Sequence, residues 1–204
     1  MYKLYKRLFD IIFSFISILI FSPIFLVISI AIILIDKETP IFFHQRVGLN
    51  KKLFFLYKFR TMSSRLNFHS KETLGTNDPR ITRLGRTLRR FKIDELPQLM
   101  NILKGEMSFV GPRPEIPYYV KNFTSHENKI FSVKPGLTDF ATLQLINLEN
   151  RFDSKKTITA EEFYSQKIQP QKKKLQLQYI KEISFINDFL LILKTIIYIF
   201  KGRK

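Results

Sequence analysis

The chain has 204 residues and a formal charge of +17, from 34 Lys and Arg against 17 Asp and Glu, and 45% of its residues are hydrophobic. That length fits one globular domain with appendages, and the cationic surplus asks for an anionic partner: nucleic acid, a phospholipid surface or a phosphorylated small molecule. Having no cysteine excludes disulfides, thiolate zinc sites and cysteine nucleophiles, and His44, His69 and His126 lack the spacing of a metal cluster.

From Ile11 to Ile35 there is no charged side chain. About 20 apolar residues cross a bilayer, so this run is long enough. It fits a cleaved signal poorly, since a signal's apolar region is roughly 7–15 residues and is followed by a small-residue cleavage site. A retained membrane segment is expected. Lys3, Lys6 and Arg7 precede it and a basic domain follows, so both flanks favour the cytoplasmic side. Pro23 has no N–H and its ring clashes with the carbonyl four residues back, while the Ser22 hydroxyl can serve a carbonyl left unpaired. On these features alone two readings stand: a bent, re-entrant helix in one leaflet, or a spanning helix with a tolerated kink.

Thr39 to Met62 reads as two short strands around a Gly48-Leu49-Asn50 turn, and the polar stretch SSRLNFHSKETLGTNDPR as a loop. ITRLGRTLRRF is helical, with Ile81, Leu84, Leu88 and Phe91 at helical spacing. Arg83, Arg86 and Arg90 make a basic stripe on its other face, either solvated or set against anionic lipid.

Next comes RRFKIDELPQLMNILKGEMSFVGPRP, from Arg89 to Pro114. Proline is tolerated in a first helical turn, so Pro97 suggests Asp94 as N-cap, Glu95, Leu96 and Pro97 as first turn, and Gly105 as terminator. In one reading Asp94 caps and Glu95 complements the macrodipole. In the other the acids belong to a reaction site. A helix N-terminus attracts phosphate, and carboxylates beside arginines can hold a divalent metal and a diphosphate. Arg113, fixed between Pro112 and Pro114, aims a planar guanidinium suited to bidentate phosphate contact. At the far end Phe185 to Phe200 is apolar apart from Lys194 and other polar breaks, and too short to span. Followed by Lys201, Arg203 and Lys204, it suggests a helix lying in the headgroup zone, with a core helix as the alternative.

KRLFDIIFS, FSP, FHQRVG, YKFRTM, DPRITRLGRTLRR, DELPQLMNILKGEMSFVGPRP, VKPGLTD and YIKEISFINDFLLILKTI occur in this order along nearly the whole chain. On these motifs the chain resembles the monotopic phosphoglycosyl transferases, the bacterial sugar transferase family, and DELPQL with VGPRP is the diagnostic part. The resemblance implies a mostly helical α+β fold. Residues 1–38 would form a basic flank and a re-entrant membrane helix broken at Ser22 and Pro23. Residues 39–184 would be a small cytoplasmic catalytic domain, and 185–204 an interfacial amphipathic helix with a basic tail. The protein would sit in the bacterial inner membrane, facing the cytoplasm.

The implied reaction moves a sugar 1-phosphate from a UDP-sugar to undecaprenyl phosphate, releases UMP, uses Mg²⁺ and passes through a phosphosugar–aspartate intermediate. Carried over residue by residue, Asp94 is the nucleophile and Glu95 its partner, both at the metal, while Arg89 and Arg113 hold substrate phosphate. Anionic lipids are expected partners and nucleic acid is not; a homo-oligomer and contact with downstream glycosyltransferases are left open. The competing readings are an inactive scaffold of glycan assembly and a membrane-anchored nucleic-acid binder. Against the second, aromatics lie in apolar runs rather than among the basic stripe. Three places depart from the family pattern. Glu106 stands in GEMS where aspartate is common. Asp139, Phe140 and Thr142 replace the usual Gly-Trp-Ala-Gln segment. Gln176 stands where aspartate is frequent. They leave the nucleophile intact and bear on which sugar or base is read.

Overall fold

The uncharged run folds as one long helix, α1 (Tyr2–Ala31), which widens into a π-helical turn (Ile32–Asp36) and stops at Lys37 with φ 55°. The structure, a computed structural model, describes residues 2–65, 78–149 and 159–201. His69, most of the expected polar loop, and Arg203 and Lys204 of the expected basic tail lie outside them. Ser22 and Pro23 sit inside α1 and do not end it. A proline at 23 leaves the Leu19 carbonyl without its usual donor, and the Ser22 hydroxyl donates to that oxygen at 2.8 Å.

β1 (Ile41–Val47) and β2 (Leu53–Phe59) form the expected hairpin, antiparallel and in register from Ile41–Phe59 to Val47–Leu53. Its turn is a 3-10 segment (Leu49–Lys51), with Asn50 and Lys51 in the left-handed region. Phe54, Leu56 and Phe59 are buried, whereas Phe43, Leu53 and Phe55 are exposed.

α2 (Arg83–Arg90) begins where the Thr82 hydroxyl accepts from Gly85 N at 2.8 Å while donating to Asp36. Leu84 and Leu88 pack on Ile28, Ile32 and Phe59, and Arg83, Arg86 and Arg90 face solvent, as their spacing suggests. Two expected apolar positions differ. Ile81 precedes the helix and bridges to Met62, and Phe91, past the last turn, is 49% exposed. Eight helical residues are too few to carry the pattern to both ends. Gly85 is required by close packing: a Cβ there would lie 2.2 Å from the Thr61 carbonyl oxygen. Since that obstacle is backbone, Gly85→Ala is expected to lower stability by about 1–3 kcal/mol, read as a lower thermal midpoint in detergent; an unchanged midpoint contradicts this packing.

A 3-10 turn (Ile93–Glu95) leads into α3 (Gln98–Lys104), which Gly105 ends at φ 87°. β3 (Ser108–Val110) follows, then α4 (Pro117–Val120) and a 3-10 segment (Glu127–Ser132). β4 (Gly136–Thr138) pairs parallel with β3. The remaining helices are α5 (Phe140–Glu149), α6 (Ala160–Phe163), α7 (Gln169–Lys181) and α8 (Phe185–Lys201). The fold is mostly helical with a small amount of sheet, as expected.

α1 is bound to the rest of the fold along one face. Near its start, Lys6 and Tyr2 reach Asp188 of α8, which also accepts from the Tyr179 hydroxyl at 2.8 Å. Arg7 donates to the Ile102 and Leu103 carbonyls at 2.7 and 2.8 Å, a cation at the negative end of α3. Asp10 is buried and accepts from Ser108 Oγ and Phe109 N, both at 3.1 Å. Ile18 and Phe21 pack on the Leu99–Ile102–Met107 cluster, and Ile28 and Ile32 on Phe59 and Leu88. The opposite face exposes Leu8, Ile12, Phe15, Leu19, Leu26 and Ile30. α8 divides likewise: Asp188 and Leu191 are buried, while Phe185, Phe189, Ile196 and Ile197 are exposed.

Candidate active site

The chain reverses at Lys92, a non-glycine residue at φ 58°, and thereby folds Asp94 and Glu95 inward at 6% and 8% exposure. Neither the 3-10 turn nor α3 has a side-chain cap, and the position before α3 is Pro97. The expected N-cap role of Asp94 is therefore corrected: the helix starts three residues later than the first-turn reading of Pro97 placed it. Asn101 on α3 docks this element on the hairpin, accepting from Tyr57 N at 3.1 Å and donating to the Phe55 carbonyl at 2.7 Å. That contact brings Lys58 of β2 to the acid pair.

The two carboxylates have different surroundings. Glu95 is enclosed by cations. Arg113 grips it with both arms of its guanidinium, Nη2 to Oε1 at 2.6 Å and Nη1 to Oε2 at 3.2 Å. Lys58 donates to Oε1 at 3.2 Å, and the Lys92 ammonium stands 4.0 Å from the same oxygen. Burial disfavours the charged form, but Arg113, then Lys58 and Lys92, hold Glu95 well below the usual carboxylate range. Asp94 is the reverse case. Its Oδ1 is buried with no hydrogen-bond partner. Burial raises its proton affinity, with Glu95 adding to the effect and Lys58, Lys92 and Arg89 opposing it. The two neighbouring acids thus differ: Glu95 is the counter-ion of Arg113 and Lys58, and Asp94 keeps a buried oxygen without a hydrogen bond.

Arg89, at the end of α2, is anchored by Nε on the Thr61 hydroxyl at 2.8 Å, with its guanidinium in the field of Asp94. The structure thus gathers Asp94, Glu95, Arg89 and Arg113. Arg113 is engaged by Glu95, which aims it. Lys58 and Lys92 were missed by the sequence reading. For Lys58 a signal exists: it shares a strand face with buried Phe54 and Leu56, where an ammonium needs a partner. Burial pushes its affinity for a proton down, although Glu95 opposes this.

No group of three or more His, Cys, Asp or Glu able to hold a metal occurs among the described residues. Mg²⁺ typically takes one or two carboxylates together with substrate phosphates, and the unpartnered Asp94 Oδ1 fits that pattern. Both Glu95 oxygens already face cations, so Glu95 fits only by sharing. Asp139 and Gln176, two of the departures noted above, touch each other: Gln176 Nε2 lies 3.3 Å from Asp139 Oδ2.

The family described as "Bacterial sugar transferase" matches residues 1–202. The chain is 40% identical over 152 residues to the "Uncharacterized sugar transferase EpsL" of Bacillus subtilis, covering 72% of this chain and 74% of that protein. It is 34% identical over 205 residues to the "UDP-N-acetylgalactosamine-undecaprenyl-phosphate N-acetylgalactosaminephosphotransferase" of Aeromonas hydrophila, covering 98% of this chain but 45% of that protein. With the "Undecaprenyl-phosphate galactose phosphotransferase" of Salmonella typhimurium it shares 38% identity over 148 residues, 65% of this chain and 31% of the relative.

Proposed function

The chain belongs to the bacterial sugar transferase family, and we propose that it transfers a sugar 1-phosphate from a UDP-sugar to undecaprenyl phosphate, through a phosphosugar ester on Asp94, to start a bacterial glycan. The acceptor is the one named in the Aeromonas and Salmonella relatives, whose sugars differ from one another. The observation that carries the aspartyl step is the buried, unpartnered Oδ1 of Asp94 beside a Glu95 already neutralised by Arg113 and Lys58.

Asp94 attacks the phosphorus that bears the sugar; the Oδ–P bond forms, the bond to the bridging oxygen breaks, and UMP leaves with that oxygen. An oxygen of undecaprenyl phosphate then attacks the same phosphorus and returns the Asp94 carboxylate. The obstacle is charge, a carboxylate approaching a dianionic diphosphate. Lys58, Arg89 and Arg113 oppose it from fixed positions, which need no reorganisation as the leaving group gains charge. Asp94 and the donor diphosphate would hold Mg²⁺, which when bound supplies further neutralisation of phosphate oxygens.

The two ends of α1 support a one-leaflet arrangement in the membrane. Thirty helical residues measure about 45 Å, enough to cross a bilayer. Yet Tyr2 and Arg7 at one end and Ile32 and Asp36 at the other are held by the same folded body. A perpendicular span would draw that body, with its acids and lysines, into hydrocarbon. A helix that bends at Pro23, enters one leaflet and returns, with lipid against its exposed face and α8 beside it in the headgroup zone, avoids this, and the cations Lys3, Lys6 and Arg7 at its start favour the cytoplasmic leaflet for the catalytic domain. A cysteine at Tyr2 is expected to react with an impermeant maleimide in inside-out vesicles and not in spheroplasts; the opposite pattern would refute the one-leaflet arrangement.

The activity itself is tested with purified protein in detergent, Mg²⁺, undecaprenyl phosphate and a panel of radiolabelled UDP-sugars. UMP release with label entering the lipid phase is expected for at least one donor. Silence across the panel would return the protein to the scaffold reading.

A further inference from the structure

Pro112-Arg113-Pro114 contains a single backbone N–H, and every polar backbone group of the tripeptide has a partner. The Pro112 carbonyl accepts from Gly136 N at 3.0 Å, and the Pro114 carbonyl from Arg46 Nη1 at 3.3 Å. The remaining two groups belong to Arg113 itself. Its N–H faces the Asp139 carboxylate and favours its ionised form, and its carbonyl accepts from Gln176 Nε2 at 3.3 Å. Asp139 (2% exposed) and Gln176 (fully buried) also bond each other, and Asp139 takes a further N–H from Ala141 at 3.2 Å. The need for side chains is physical. Backbone bonds to β4 reach Gly111 N and the Pro112 carbonyl, and Arg113, set between two prolines, does not continue them, so its peptide groups require other partners.

We propose that Asp139 and Gln176 are positioning residues that clamp the Arg113 peptide from behind and so fix the direction of its guanidinium toward Glu95 and the substrate phosphate. Neither touches the reacting atoms. On this view two departures from the family pattern act on the arginine that handles phosphate, rather than on the sugar or base.

The proposal rests on the transferase reading only for its activity readout, so the test has two arms. Gln176→Leu keeps the volume and leaves the Arg113 carbonyl unpaired. It is expected to lower kcat for UMP release about tenfold with donor KM changed less than about twofold, and to cost less than about twofold when introduced into Arg113→Lys. Equal fold losses in both backgrounds would overturn the clamp. In the second arm the same cycle is read by thermal unfolding without substrate: a non-additive shift of the midpoint supports the clamp, and strict additivity overturns it. A wild-type protein that releases no UMP refutes the transferase reading, and the unfolding cycle alone then decides the clamp. If Gln176→Leu fails to fold, Asp139→Asn, which sets an amide donor among the N–H groups that the carboxylate now accepts, carries both arms by the same criteria.

Discussion

Asp94→Asn is expected to remove UMP release and lipid labelling together, by about 10⁴-fold or more, while leaving the protein folded. The amide has the shape of the carboxylate without a nucleophilic oxygen, so the first bond to phosphorus cannot form. Stability should hold or rise, for a reason specific to this site. Oδ1 has no hydrogen bond to lose, and the substitution removes one of two adjacent buried negative charges. Loss of function with an equal or higher thermal midpoint separates a missing nucleophile from a collapsed site. Intact-mass analysis after incubation with donor alone should find a phosphosugar adduct on the wild type and none on the variant. Adduct on the asparagine protein, or lipid product from it, would place the ester elsewhere.

The same residue gives a pH dependence whose sign can be worked out. Burial, with Glu95, raises the proton affinity of folded Asp94 above its unfolded value. An acid shifted upward contributes stability that is present below the unfolded pKa and lost as pH rises through the folded one. In metal-free buffer the wild type should therefore gain on Asp94→Asn as pH falls through that window. On the proposed mechanism turnover runs the other way, because attack needs the ionised carboxylate: the donor half-reaction should fall on acidification.

What could be read from sequence followed the range of the interactions. α1 was visible because charge is missing over a whole run. The hairpin is visible because Gly48-Leu49-Asn50 interrupts two aromatic-rich runs, and the end of α3 because Gly105 takes the left-handed conformation that a helix stop needs. Asp94 does not cap α3, because spacing alone does not fix the backbone path before the helix. Lys92 turns the backbone into the left-handed region, Pro97 delays the helix, and Asp94 swings inward. Lys58 was missed because its importance arises from Asn101 docking α3 on the hairpin, a contact spanning more than forty residues. Asp139 and Gln176 looked like isolated departures, since nothing local joins positions 37 apart that meet through folding.

Arg113→Lys is expected to lower kcat about 10²-fold although the formal charge is unchanged. Arginine here makes two directed bonds to Glu95, at 2.6 and 3.2 Å, and its carbonyl is held by Gln176. A lysine offers a point charge on a flexible stem, restores at most one of those bonds, and leaves a Glu95 oxygen in a buried site with a weaker counter-ion. Freed from Arg113, the Glu95 carboxylate would turn more of its negative field on Asp94 and on the incoming diphosphate, so the substitution damages the site twice. Glu95→Gln discriminates between those effects. It removes the negative field but also the anchor that aims the guanidinium, and it is expected to cost about 10-fold to 10²-fold. If direction matters more than charge, Arg113→Lys and Arg113→Ala will be nearly equal in single-turnover UMP release. A lysine variant retaining more than about half of wild-type kcat would instead show that any cation suffices there.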